Sequence, residues 1–594
     1  MTEHARAEHV DHVPLDFEDP HRAALEDNPE TAERPPLRTL LAVMFLALSY
    51  VCPIGCGFFL ISAILVPVGT ELGDTQNIAW IVSGWSTASS VSFSIAGKVS
   101  DIFGRRWTIL VGEVICIVGC IVACTAQRTL VLAAGSTVVG FGCGIVFVSY
   151  AGIVELLPNK WRGFGIGLTE VCITIPWCAT SVLIANGLNS HTSAGWRWCY
   201  YMGIIYGTIS LVGTFVFYYP PIRPQHDFQK SRWQEIREID YIGCLLYTGG
   251  LAVFLVGMSW AGTTDHPWRS ASAVAPIVVG FVVLVFSFLY DFTLAKEPFF
   301  PLSLLRRLRE YTVLLVVVFV AGMVFYSMSA LLPQGSLYMF TSDPTEIGII
   351  ALPSGIAEML FGAFATLLMG HIGHLKVQII AMLSVQTIAT ACYSTVIPYN
   401  RAGWMALQFF GMGAFQLTTS IAYVIAGLNI PLRYLGLASG LIGTFRSAGG
   451  SVGNAIFSTI LNSVVQDQLP KRIAVAATSQ GYDASNLALL IPAVVNNALG
   501  IPDAFDGVPD VNPSLKLAVG NAFREAYAAA FRRVFWATIP FGIIAVICAC
   551  FIRDPSRYLT NHTAVHMHGD EGQSQTPVQH AMFEVEQKQN SSKE

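Results

Sequence analysis

Stretches of about 18 to 26 mostly apolar residues recur along this chain, each closed by charge, Gly or Pro, and a helix crossing hydrocarbon needs about 20 such residues. They run Leu40 to Leu65, Ile78 to Ala96, Trp107 to Ala126, Leu130 to Tyr150, Phe164 to Leu188, Trp198 to Tyr219 and Tyr241 to Trp260. The rest run Ala271 to Phe292, Val313 to Leu332, Ile347 to Met369, Val377 to Ile397, Met405 to Ala426, Leu437 to Leu461 and Val534 to Phe551. A backbone in lipid must satisfy its own hydrogen bonds, so the pattern predicts an all-α membrane protein of about fourteen transmembrane helices in one bundle. Of the 594 residues 53% are hydrophobic and 12% charged, against roughly 25% charged in soluble domains. A net charge of -5 offers no basic excess, so no nucleic-acid partner is expected. All thirteen cysteines lie in or beside apolar segments, where they serve as small buried hydrophobes. Neither a disulfide framework nor a metal site is expected.

An even number of spans puts both termini on one side of the membrane. With the N-terminus inside, 23 of the 34 Lys and Arg are cytoplasmic, ten lie outside and Arg446 lies within a span. Six of those ten belong to one long loop, where charge bias carries little weight, so the short loops place both termini in the cytoplasm. The sequons at Asn561 and Asn590 then face inward and carry no glycan. The expected division is a disordered N-tail at 1–38, a six-helix half at 39–219 and a charged central loop at 220–240. Two additional helices follow at 241–292, then a second six-helix half at 293–553 and a C-tail at 554–594. A long external loop at 465–533, with helix-prone stretches such as Phe523 to Phe531, reads as a partly helical cap.

After the second span the chain reads Gly97-Lys98-Val99-Ser100-Asp101-Ile102-Phe103-Gly104-Arg105-Arg106-Trp107. Gly97 allows close backbone approach to a moving neighbour. Asp101 can pair with Arg105 or Arg106 and can face the N-terminus of an adjoining helix, which makes the cluster a latch that forms in one conformation and breaks in another. Gly97-Lys98 is followed by Val99 and lacks the frame of a phosphate-binding loop, so ATP is not the expected energy source. Charges within spans are costly and are the default functional candidates: Glu358 at mid-span, Glu170 and Glu113 about a third of the way in, and Arg446 in a glycine-rich helix. Desolvation favours the neutral form of a carboxyl, which suits proton loading, and the plainer role is that Glu170 or Glu113 pairs structurally with Arg446 or bonds a neighbouring helix. Tyr50, Trp85, Trp177, Tyr247, Tyr326, Gln416 and Asn454 are the candidates to line an amphipathic cavity. Cys116, Cys120 and Cys124 share one helix face, where small-residue packing explains them better than metal.

The Gly97 to Arg106 segment resembles the loop motif of the major facilitator superfamily of secondary transporters. Gly140, Gly142 and Gly144 resemble the end of that superfamily's fourth-helix motif, but Ser136 and Val139 stand where its Arg and Gln are expected. Pro176 stands without the paired glycines of its antiporter motif, and Gly370-His371-Ile372-Gly373-His374-Leu375-Lys376 is an eroded second-half echo of the latch. The segments Glu155 to Gly163, Leu437 to Ser451 and Tyr558 to His566 together look like the trichothecene efflux pump family of fungi. The resemblance implies a two-half bundle without catalysis or cofactor, monomeric in the plasma membrane. It would export hydrophobic secondary metabolites, toxins or drugs against protons by alternating access. The same fourteen-span architecture also serves proton-coupled import of ferric siderophores, which is the alternative.

Overall fold

A computed structural model describes residues 19–26, 36–74, 78–174, 177, 180–220, 240–261, 267, 270–295, 300–498 and 504–564. Most of the expected N-tail, the central loop between 221 and 239, the end of the C-tail and the Asn590 sequon lie outside the described residues. The described chain is helical, in the order α1 (Pro20–Glu26), α2 (Leu37–Leu60), α3 (Leu65–Glu71), α4 (Ala79–Phe103), α5 (Arg105–Cys124) and α6 (Thr129–Leu156). Then come α7 (Arg162–Ile173), α8 (Ser181–His191), α9 (Arg197–Phe217), α10 (Tyr241–Trp260), α11 (Ala271–Thr293) and α12 (Leu308–Met339). The last are α13 (Thr345–Ile372), α14 (Leu375–Val396), α15 (Arg401–Asn429), α16 (Leu435–Ser479), α17 (Leu487–Ala498) and α18 (Pro513–Phe551).

Among the described residues eleven helices are long and apolar enough to cross a membrane: α2, α5, α6, α9 to α15 and α18. Length and composition thus yield eleven spans where fourteen were expected. The other three expected segments are helical, as α4, as α7 with α8, and as α16, but they are diluted by small polar residues. Seven serines lie on α4, and six glycines fall between Gly436 and Gly453 on α16. Those residues face another helix rather than lipid. Ser94 Oγ lies 2.8 Å from Thr444 Oγ1, Ser90 donates to Ser447 Oγ at 2.5 Å, and Thr444 donates to the Ser90 carbonyl at 2.9 Å. Close approach and hydroxyl pairing hold α4 to α16 where apolar bulk would not fit. Across the bundle, Gly163 and Gly167 of α7 rest on Met369 and Leu367 of α13. These two seams join a first group of helices, α2 to α9, to a second, α12 to α18.

The pair α10 and α11 flanks the bundle. Tyr247 of α10 lies 3.3 Å from Ser94 Oγ and packs edge-on against Phe300, which docks the pair on α4. Val278, Val279, Phe281, Val282, Phe286 and Leu289 of α11 are exposed, an apolar face suited to lipid. Beyond the bundle α16 continues unbroken to Ser479, and α18 already begins at Pro513, well before Val534 where its span was expected. Leu469, Ile473, Leu490, Val494, Phe505, Val519 and Phe523 give this cap a small core of its own. Packing differs between the two ends. At the Asp101 end every residue of α16 from Leu435 to Thr444 is buried, whereas Asn454, nearer the cap, is exposed.

Candidate functional site

Two clusters of polar side chains lie along the line where the groups meet. The first forms at the Asp101 end. Gly104, at φ +89°, ends α4 in a conformation that L side chains rarely adopt, so α5 starts at once with Arg105. The turn aims the Asp101 carboxylate at the first turn of α16, where its two oxygens accept hydrogen bonds from the backbone N–H of Gly436 at 3.1 Å and of Leu437 at 2.9 Å. Those donors have no partner inside their own helix, and the helix dipole favours a negative charge there. Gly97 permits the approach: a Cβ on it would lie 2.8 Å from the Leu437 Cα and the Gly436 carbonyl carbon. Arg105 lies 3.7 Å from Asp101 and pairs with Glu155 at the end of α6. Glu155 is buried, because this ion pair is folded inside the turn. Arg106 turns away, donating to the Phe215 carbonyl at 2.9 Å and lying 3.5 Å above the Tyr219 ring. Nearby, Arg162 of α7 donates to the Gly427 carbonyl of α15 at 2.5 Å, a second tie between the groups.

The second cluster centres on Glu170. The Tyr150 hydroxyl donates to one carboxylate oxygen at 2.7 Å, and Gln416 Nε2 donates to the other. Tyr150 and Glu170 belong to the first group and Gln416 to the second, so one buried carboxylate spans the divide. Around it the rings of Phe147, Tyr150 and Tyr423 lie 4.7 to 5.4 Å apart, and Tyr50 meets Tyr150 edge-on at 5.0 Å. The Arg446 guanidinium sits 5.8 Å from the Phe147 ring and 5.9 Å from the Tyr326 ring, near enough to interact electrostatically with Glu170, Tyr150 and Tyr423. Arg446 Nε and the Tyr423 hydroxyl are buried without a hydrogen-bond partner. The arrangement sets a buried carboxylate, a guanidinium and a cluster of aromatic rings against one another across the divide between the groups.

The structure thus brings Glu170, Arg446, Tyr50, Tyr326 and Gln416 together. Glu113 is elsewhere: it accepts from Ser210 at 2.6 Å and Thr214 at 3.2 Å, between α5 and α9. Glu358 is buried on α13. Trp85 donates to the Pro53 carbonyl at 3.2 Å, Trp177 packs edge-on against Tyr206, Tyr247 docks the flanking pair, and Asn454 is exposed. Sequence reasoning missed Tyr150, Phe147, Tyr423 and Arg162. An aromatic residue in an apolar helix carries no mark of the partner it meets, but the Arg162 charge beside a span start was a usable signal.

The family model for the fungal trichothecene efflux pump (TRI12) matches residues 24–587. The trichothecene efflux pump of Fusarium sporotrichioides is 26% identical over 503 residues, covering 83% of this chain and 82% of that one. An MFS-type transporter of the acurin A biosynthesis cluster of Aspergillus aculeatus is 26% identical over 536 residues, covering 88% and 91%. The MFS-type transporter prx5 of Penicillium rubens is 26% identical over 526 residues, covering 86% and 91%. Among solved structures the human organic anion transporter MFSD10 superposes with a TM-score of 0.50 at 12% identity, over 85% of this chain and 100% of that one, a likeness of fold.

Proposed function

The chain belongs to the fungal trichothecene efflux pump family, and on that premise we propose that it exports hydrophobic secondary metabolites, toxins or drugs by proton-driven alternating access. Its relatives are named efflux pumps or MFS-type transporters, and two of them carry names tied to a toxin or a metabolite cluster. In this reading the protein is a monomer of the plasma membrane, both termini and the Asp101 end are cytoplasmic, and the conformation described is closed toward the cytoplasm.

The observation that carries the reading is the Glu170 carboxylate, bonded by Tyr150 from one group and by Gln416 from the other. Ionised, it accepts both bonds and faces the Arg446 charge, which ties the groups at mid-depth. Protonated, it loses that attraction, and its hydroxyl is a hydrogen-bond donor where the carboxylate accepted, so one of the two bonds must reverse or break and the tie weakens. At the Asp101 end the same separation would pull the carboxylate off the first turn of α16 and open a path from the cytoplasm for substrate. An inward-moving proton then returns the system, and one charge crossing 100 mV releases about 2.3 kcal/mol before any pH difference is added. Buried aromatic rings beside a single cation suit a bulky, mostly neutral ligand with an electron-rich oxygen.

The test is flux of a labelled trichothecene-like toxin and of a ferric siderophore in everted and right-side-out vesicles under an imposed pH gradient. Toxin accumulation in everted vesicles supports the exporter. Siderophore uptake in right-side-out vesicles, with no toxin movement, replaces it with a proton-coupled importer.

A further inference from the structure

We infer that the C-terminal segment 553–562 is a strap that holds the bundle shut at its Asp101 end, a second latch separate from Asp101. The strap is bonded to both groups of helices. On the second group the Arg553 N–H donates to the Arg309 carbonyl at 2.8 Å, the Arg553 guanidinium lies 2.7 Å from Glu310, and the Leu375 N–H donates to Ser556 Oγ at 2.8 Å. On the first group the contacts fall on the turn between α6 and α7. The Asn159 N–H donates to the His562 carbonyl at 2.9 Å, the Lys160 N–H to the Thr560 carbonyl at 2.9 Å, and Asn159 Nδ2 to the Tyr558 carbonyl at 3.0 Å. Asn159 is 3% exposed, so its two bonds are shielded from competing water.

The short helix α1 clamps the strap from outside. The His21 ring stacks on Tyr558 at 4.0 Å with the planes 3° apart, and its Nε2 lies 3.1 Å from Asn429 Oδ1 at the end of α15. Asn429 is itself anchored, donating to the Glu310 carbonyl at 3.2 Å, and Ala24 is 2% exposed beneath the helix. Separating the two groups at this end must break one side of the strap, so its bonds add to those of Asp101 in favour of the closed state. The inference rests on the Asp101 end being the cytoplasmic one.

The experiment places a reporter, Ser439→Cys, in the full chain on the buried stretch of α16 at the Asp101 end, where Ser439 is 4% exposed. Its rate of alkylation by an impermeant maleimide is measured in everted vesicles, with the parent protein's own cysteines as baseline. Tyr558→Ala, which removes the ring stacked on His21, and a chain truncated after Asp554, which removes the carbonyls bonded by Asn159 and Lys160, should each raise the rate about fivefold or more, the population shift expected from losing one aromatic stacking pair or one to two hydrogen bonds. Reporter labelling at the parental rate in Tyr558→Ala protein that reaches the membrane overturns the strap. Because Tyr558→Ala keeps the chain intact, it decides the matter even where the truncated chain fails to fold. Labelling needs neither substrate nor a proton gradient, so failure of the strap and failure of the exporter reading are distinguishable.

Discussion

Glu170 and Glu113 differ by their neighbours alone. Each is a buried carboxylate in an apolar helix, yet Glu113 satisfies one oxygen with Ser210 and Thr214 inside a single helix pair, whereas Glu170 is shared across the two groups. Glu170→Gln keeps the shape but cannot exchange a proton, and its amide nitrogen is a donor at one of the two positions where Tyr150 and Gln416 now find acceptor oxygens. Proton-driven flux should fall roughly tenfold or more, the equivalent of about 1.4 kcal/mol, and lose its dependence on pH. Glu113→Gln should leave the pH profile of flux in place. Vesicle flux from pH 6 to 8 reads both, and a normal profile for Glu170→Gln would reassign it to structure. Asp101→Asn removes the charge facing the α16 dipole and turns one acceptor into a donor, so it should lower flux without lowering the amount of protein in the membrane. Sequence alone put Glu170 and Glu113 on one footing, because depth in a span was the measure available. Which carboxylate meets the second group depends on how helices far apart in the chain are placed, and no spacing records that.

Three of the helices that escaped the apolar count, α4, α7 and α16, lie on seams where the groups meet. A span facing lipid needs bulk hydrophobicity, whereas one facing another helix at close range needs small side chains and hydroxyl partners, and α4 and α16 follow the second rule. Their helical character was legible in the sequence and their polarity was visible too, as serines and glycines, but the reason for it came only with the packing of Ser90 and Ser94 on Thr444 and Ser447. The early start of α18 was legible in part, since Phe523 to Phe531 reads as helix-prone, but its continuity from Pro513 into the span was not, because that stretch is amphipathic and covers the cap core rather than crossing lipid. A prediction at this scale concerns Gly97, where the obstacle to a side chain is backbone on both sides of the contact. Gly97→Val would push α4 from α16 at the Asp101 end, since neither the Gly436 carbonyl nor the Leu437 Cα can rotate aside. Flux should be lost and the Ser439→Cys reporter should label faster, with the protein still present in the membrane. Normal flux would mean that the two helices need not close this far.

Among the described residues, ties cross between the groups at three depths: the strap, Asp101 and Arg162 at one end, the α4–α16 hydroxyl pairs above them, and Glu170 with Gln416 at the middle. All lie on the Asp101 side or at the centre, and the exposure of Asn454 toward the cap marks the opposite side as the looser one. If transport proceeds by rocking of the two groups, every cycle must part Ser94 from Thr444, whose side-chain oxygens are now 2.8 Å apart. Cysteines at these two positions would lie within reach of a disulfide. A Ser94→Cys, Thr444→Cys double variant should therefore move substrate under reducing conditions, stop when oxidised by copper phenanthroline, and resume on adding dithiothreitol, while either single variant is indifferent to the oxidant. The inhibited fraction should match the fraction cross-linked, measured on the same vesicles by mass. Continued flux through fully cross-linked protein would show that the seam stays closed during transport, and substrate would then need a route within one group of helices rather than between two.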